Sequence, residues 1–233
     1  MNRAREYGIT CIIQVGDFGY WEHQDDGKFL DQLSRLSKNY GVTVCWIDGN
    51  HENHVLLRDT YCVPERTDDN GFVYMRDRVF YIPRGTVWEW AGTKFMGLGG
   101  AYSIDRNQRR VGSSFWFEET LTDEEVKLAC ENGKDGVDVM FAHDVFTGVD
   151  LGLVFAMQGR YLSKNKPSDQ NRDKVKEVLD VVQPSRFYHG HYHVYYKQDI
   201  MAHYGKVRVV GLGCDGMEVD SVSVLDTEDL PTW

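Results

Sequence analysis

The chain has 233 residues, 42% of them hydrophobic, so it is long enough to bury a sizeable core as a single domain spanning 1–233 without disulfides. Its formal net charge of −10 argues against general nucleic-acid binding, which draws affinity from Lys and Arg, and no apolar run approaches the roughly 20 residues that cross a bilayer. The five cysteines, Cys11, Cys45, Cys62, Cys130 and Cys214, are widely separated and form no Cys-x-x-Cys pair. With the polar N-terminus Met1–Tyr7 they fit a reducing, cytoplasmic setting.

Ile9–Val15 is a short β-branched run that stops at Gly16, the pattern of a buried strand ending in a loop. Lys28 to Tyr40 carries Phe29, Leu30, Leu33 and Leu36 at helical spacing and is stopped by Gly41. Val42–Ile47 is a second buried strand, followed by a polar loop and a short helix around Leu56 and Leu57. Strand, helix, strand, helix predicts a mainly parallel sheet with helices packed on it. Short strands then follow at Phe72–Met75, Val79–Ile82, Thr86–Trp90 and Thr93–Leu98, with Ala91-Gly92 as a hairpin turn.

Gly99 to Phe117 reads as a long loop, and loops of that length in compact domains are often functional. Thr122 to Glu131 reads as a helix opened by a capping box of Thr122 and Glu125. Val137–Phe141 is again a buried strand, Asp169–Val182 an amphipathic helix and Arg186–Tyr188 a strand. Further strands are predicted at Val194–Lys197, Val207–Gly211 and Val222–Leu225.

Metal-capable residues recur just after the apolar strands, where open α/β sheets place their ligand sites. The four segments are Gly16-Asp17-Phe18-Gly19, Gly49-Asn50-His51-Glu52, His143-Asp144 and Gly190-His191-Tyr192-His193. Singly they have plain explanations. Gly-Asp makes ordinary turns, Asn-His caps helices, and a lone His143 fits a hydrogen-bonded core histidine. Together they form a coherent donor set: the Asp17 carboxylate, the Asn50 carbonyl oxygen and the imidazoles of His143, His191 and His193 suit zinc, iron or manganese. On an extended segment His191 and His193 face the same side, and His189, which would share it, is read as structural. His23, His54 and His203 read as surface or packing residues. Two ions about 3.5–4 Å apart clamp a phosphoryl group and bring a bound water's pKa near neutrality, so that hydroxide attacks phosphorus in line. His51, beside Asn50, is placed to protonate the departing oxygen.

In order and separation these residues resemble the calcineurin-like metallophosphoesterase family. Gly99–Ser103 and Trp116–Glu119 resemble a bacterial and bacteriophage branch of it. The resemblance implies an α/β fold, a four-layer α-β-β-α sandwich of two mixed sheets flanked by helices. It implies that Asp17 bridges two metals, that Asn50, His143 and His191 complete one site, that His193 belongs to the other, and that His51 is the catalytic acid. It further implies divalent ions, Mn²⁺ foremost with Fe, Zn or Ni as alternatives, a small phosphate-ester substrate and a cytoplasmic setting, the host's if phage-encoded. A homodimer is common in related proteins.

The departure lies at the start. Members of the family open with a strand ending in Asp-x-His, and no Asp-x-His occurs in this sequence. The usual first strand therefore has no counterpart. The favoured expectation is that the natural protein carries about 20–30 further residues of strand and helix upstream; the rival is a short form working with a reduced site. In this short chain one metal site keeps Asp17, Asn50, His143 and His191, whereas the other keeps only Asp17 and His193. One tight ion and one weak or absent ion are expected, with His23, Asp25 or Asp26 as candidate substitutes.

The expected activity is hydrolysis of phosphodiesters, including small cyclic or nucleotide-derived esters. The alternatives are a phosphomonoesterase or protein phosphatase of the same fold, and a catalytically impaired binding protein. Asn50 and Arg106, the latter in the Arg-rich loop Asp105–Arg110, are candidates for holding substrate phosphate, though that loop reads equally as solvated. Phe18, Tyr20, Trp21 and Tyr192 either stack on a base or pack.

Overall fold

The computed structural model describes residues 6–19, 25–161, 165–217 and 220–227. β1 (Cys11–Val15) and β2 (Thr43–Ile47) lie parallel, Cys11 opposite Thr43 and Val15 opposite Ile47. The connecting helix α1 (Lys28–Tyr40) turns Leu30, Ser34 and Ser37 inward. β4 (Val79–Tyr81) adds parallel to β2, and β3 (Val73–Arg76) adds antiparallel to β4, giving the order β1-β2-β4-β3. Between β2 and β3 lies a short helix, α2 (His54–Leu56), continued by one wider turn over Leu57–Tyr61.

The second sheet begins with the hairpin of β5 (Thr86–Trp90) and β6 (Thr93–Leu98). Ala91 and Gly92 close it with φ of 51° and 77°, the left-handed pair that a two-residue hairpin turn requires. β7 (Val139–Ala142), β8 (Arg186–His189) and β10 (Gly205–Gly211) follow in parallel, and β9 (Tyr196–Ala202) pairs antiparallel at the edge; the order is β5-β6-β7-β8-β10-β9. α3 (Asp123–Asn132), α4 (Leu151–Ala156) and α5 (Lys166–Val182) cross between these strands. The predicted capping box is present: Thr122 Oγ1 accepts from Glu125 N at 3.1 Å while Glu125 Oε2 accepts from Thr122 N at 2.8 Å.

Three apolar interfaces stack these parts into layers, because alternate strand residues face opposite sides. Trp46, Val73, Met75 and Tyr81 pack with Leu30 of α1 on the outer face of the first sheet. Cys45, Ile47 and Ile82 meet Phe95, Val139, Phe141 and Tyr188 between the sheets. Met96, Met140 and Phe187 pack beneath Val126, Val175 and Leu179 of α3 and α5. The outcome is two mixed sheets flanked by helices.

This layering brings the C-terminal ends of β1 and β2 in one sheet against those of β7 and β8 in the other. Among the described residues β1 pairs only with β2, so its outer edge is open. That edge lines a cavity of about 1260 Å³ bounded on its far side by Phe95, Phe141 and Tyr188 and reaching Asp17, His143, His191 and His193. No described helix is long and apolar enough to cross a membrane.

The structure departs from the sequence reading in three elements. Val222–Leu225 is not a strand: it has no ladder partner among the described residues, and Leu225 packs instead on the core between the sheets. The strand expected at Val194–Lys197 begins only at Tyr196, because the preceding residues turn sharply. α4 is a helix that the sequence reading did not assign. Its N-cap is Asp150, whose Oδ1 accepts from Leu153 N at 3.0 Å.

Beneath the end of β2 lies a buried ion cluster. Asp48, 1% exposed, takes two hydrogen bonds from Arg84 on Oδ2, at 2.8 and 2.6 Å, and one from Tyr81 Oη on Oδ1 at 2.9 Å. Burial alone would favour the neutral acid, but the Arg84 guanidinium outweighs it and holds Asp48 at about 2. Removing one partner strands the other as an uncompensated buried charge. Arg84→Ala is therefore expected to cost about 3–5 kcal/mol in urea unfolding, and Arg84→Met with Asp48→Leu is expected to regain most of it. A single-variant loss below about 1 kcal/mol would show the pair to be dispensable.

Candidate metal centre

β1 ends at Val15, and the chain turns through Gly16 and Asp17 with φ of 96° and 55°. A side chain at Gly16 is excluded, since a Cβ there would lie 2.1 Å from His143 Nδ1; at Gly49 it would lie 2.2 Å from Asp17 Oδ1. These two glycines let loops from opposite sheets touch. Backbone N–H groups of Asn50 and His51 both donate to Asp17 Oδ1, at 3.0 and 3.1 Å, and hold that carboxylate over the β2 loop. Glu52, fully buried, joins the two loops from below: Oε2 accepts from Gly49 N at 2.6 Å and Oε1 from Gly19 N at 3.3 Å. Burial raises its pKa to about 8.

The orientation of His143 decides what the cluster can hold. Its Nδ1 lies 2.7 Å from the Val15 carbonyl oxygen, which can only accept, so Nδ1 carries the hydrogen. Nε2 is left facing two oxygens, Asn50 Oδ1 at 3.1 Å and Asp17 Oδ1 at 3.3 Å. The Asn50 amide is fixed in turn, because its Nδ2 donates to Ser103 Oγ at 2.8 Å and Ser103 Oγ donates to Glu119 Oε2 at 2.6 Å. Three lone-pair atoms thus converge with no donor among them. Either a proton on Nε2 or a cation must occupy the gap. Atoms bound about 2.1 Å from one ion are about 3.0–3.4 Å apart at octahedral or tetrahedral angles, which matches the observed spacing.

A group of three completes the picture. Asp17, His143 and His191 each present a ligand atom, all within 4.8 Å of one another, and Asn50 Oδ1 adds a fourth. This group is able to bind a metal ion.

No family model matches the chain, and no curated protein matches it. One solved structure, 11% identical, superposes with a TM-score of 0.51 over 91% of this chain and 82% of its own. That likeness shows the fold alone.

The electrostatics agree with a cation site. Burial opposes ionisation of Asp17, but His143 and then His51 and His191 outweigh it and hold the carboxyl well below its ordinary range. Burial likewise opposes a charged His143, yet Asp17 keeps it protonated up to about 9 in the ion-free protein. His191, desolvated and beside His143, falls to about 3 and is neutral. Asp144, the residue after His143, accepts from Tyr192 Oη at 2.8 Å and from Asn171 Nδ2 at 2.8 Å, which ties the His143 loop to the His191 loop.

Other expected residues lie elsewhere. His193 lines the same cavity but is outside the three-residue group, and it is exposed. The expectation of an extended segment fails there: His191 and His193 have φ of 65° and 55°, so the chain turns at each and two-residue alternation does not apply. His189 is buried and bonded to Tyr196 Oη at 2.6 Å, as a structural residue should be. His54 is buried, and His203 is exposed 3.4 Å from Asp180. Asp25 accepts from Gly27 N and Phe29 N at the start of α1, and Asp26 is exposed beside Lys28. His23, Tyr20 and Trp21 lie outside the described residues. Phe18 stacks on Trp46 at 4.6 Å, and Tyr192 is held by Asp144, so both pack.

The two arginines of the loop are placed differently. Its guanidinium lies over the rings of Tyr102 and Phe115, at 4.8 and 4.6 Å, whereas Arg109 reaches His51. Sequence reasoning quoted Glu52, Ser103 and Glu119 inside its motifs but gave them no role. Glu119 and Glu52 are acids without exposure, and only the folded environment reveals that.

Metal binding is expected to displace one proton, the one on His143 Nε2. Calorimetry with Mn²⁺ at pH 7 in buffers of different ionisation enthalpy should read about one proton released, and affinity should strengthen as pH rises toward 9. Ser103→Ala frees the Asn50 amide and is expected to weaken Mn²⁺ by about 10–100-fold. Proton-neutral binding would contradict the His143 assignment.

Proposed function

We propose that the chain is a metal-dependent phosphoesterase acting on small phosphodiesters of the nucleotide type, including cyclic ones. The observation that carries this reading is the convergence of Asp17, Asn50, His143 and His191 on one point with His51 at its rim. Asp17, Asn50, His143 and His191 would hold a divalent ion, Mn²⁺ foremost with Fe, Zn or Ni as alternatives, which would supply polarisation of a phosphoryl oxygen and a water made nucleophilic near neutral pH. The chain's own residues hold and orient. Asp17 is clamped by two backbone donors, and Asn50 is turned by Ser103 and Glu119.

His51 Nε2 lies 3.9 Å from Asp17 Oδ2, within reach of an ester placed over that carboxylate. Burial holds the imidazole below its ordinary range against the pull of Asp17, so near pH 7 the ring carries one N–H. The ring acts as the acid in its protonated form, which the negative charge of an ester bound beside it favours, and returns to the neutral form on giving that proton to the departing oxygen. One ion is held tightly; a second, left with Asp17 and His193, is held weakly.

A second reading, a ligand-binding relative without turnover, is favoured by one observation: both ring nitrogens of His51 face the Arg109 guanidinium, at 2.6 and 2.7 Å.

With Mn²⁺ added, the protein is expected to hydrolyse bis(p-nitrophenyl) phosphate faster than p-nitrophenyl phosphate. His51→Ala is expected to lower kcat by about 10²–10⁴-fold with bound metal retained, and Asp17→Ala to lose the metal. Elemental analysis after long dialysis should find one ion per chain. Two retained ions would overturn the reduced second site, and retained metal without turnover of either ester would favour the binding-only reading.

A further inference from the structure

Arg109 is held from behind and aimed at the site. Its Nε pairs with Asp105 Oδ1 at 2.9 Å, one terminal nitrogen donates to the Ser114 carbonyl at 3.4 Å, and the side chain is only 13% exposed. Its two terminal nitrogens then face the two ring nitrogens of His51, at 2.6 and 2.7 Å. This contact contains a mismatch of donors. A guanidinium offers only donors, and a neutral imidazole offers one acceptor and one N–H, a charged imidazole none. At least one N–H of the fork therefore meets a nitrogen that cannot accept it. Such a pair is completed by an oxyanion, whose two oxygens match a planar fork and leave the ring N–H free to donate.

The neighbouring atoms place that oxyanion. His51 N donates to Asp17 Oδ1, and His51 Nε2 is 3.9 Å from Asp17 Oδ2. The His51 ring thus stands between the fork and the carboxylate of the candidate metal group. The other arginine of this loop expected to meet phosphate is committed elsewhere, to the rings of Tyr102 and Phe115.

We propose that Arg109 is the phosphate-binding side chain of this site: its fork takes two non-bridging oxygens of a phosphate ester lying over Asp17 and, in leaving His51, frees that imidazole toward the ester's departing oxygen. The inference rests on the phosphoesterase reading for the identity of the ester. It adds a device to that reading. Without phosphate the guanidinium covers the acid, and phosphate draws it away.

The test uses inorganic phosphate as probe, titrated calorimetrically into the Mn²⁺-loaded full chain. Arg109→Ala, and Arg109→Gln as a variant that keeps the length of the side chain, are expected to weaken phosphate by roughly tenfold or more, with Mn²⁺ affinity unchanged. Arg110→Ala removes the same charge from the same loop at an exposed position and is expected to change phosphate affinity less than twofold. Equal phosphate affinity in the parent and whichever Arg109 variant folds would overturn the proposal. So would an equal loss in Arg110→Ala, which would mark a general field, or a parent that binds Mn²⁺ but no phosphate. A parent that binds phosphate through Arg109 yet turns over neither ester would leave this inference standing and sink the hydrolase reading.

Discussion

The hydrogen bond from His143 Nδ1 to the Val15 carbonyl oxygen joins the last residue of β1 to the loop after β7, across the seam between two sheets. It gives the carbonyl at the end of β1 a donor from the opposite sheet. It also orients an imidazole buried to 1% exposure so that Nε2 faces Asp17 and Asn50 and offers a lone pair beside them once its proton has been displaced. With the contacts of Nε2 to Asn50 and Asp17 it sets the rotation of the ring and so specifies the convergence that marks a cation site. The glycine at position 16 exists to permit it, since any side chain there would occupy the ring's place.

Around that bond the structure spends buried polar groups on position rather than on binding. Glu52 ties the β1 and β2 loops through backbone N–H groups, Glu119 turns Asn50 through Ser103, and Asp144 links the β7 and β8 loops through Tyr192. Each such acid sits where burial raises its pKa, and each is satisfied by donors from the loop it supports. Asp48 with Arg84 does the same beneath β2, with full charges in place of shared protons. A buried polar group left unsatisfied is costly, so these contacts hold only one loop arrangement.

The candidate ligands also occupy unusual backbone. Asp17 and His191 both have positive φ, a region that non-glycine residues seldom enter without a compensating contact. In each case the strand ends abruptly and the side chain is thrown inward toward the opposite sheet.

Strand ends and their polar successors were legible in the sequence because periodicity and burial decide them locally. β1, β2, β7 and β8 run as β-branched and aromatic stretches, and each is followed by a metal-capable residue, which sufficed to nominate Asp17, Asn50, His51, His143 and His191. α1 and the Thr122–Glu125 cap were legible for the same reason, being set by spacing within a single element. What the tertiary structure alone decided is which loops meet. That His193 stays outside the group of three follows from left-handed turns that no residue pattern announces. That Arg109 and not Arg106 faces His51 depends on an aromatic pocket assembled from Tyr102 and Phe115, on either side of the loop in question. Short-range preferences specify elements, whereas the partner of a loop side chain is set by packing between residues distant in the chain, and only the folded chain brings those together.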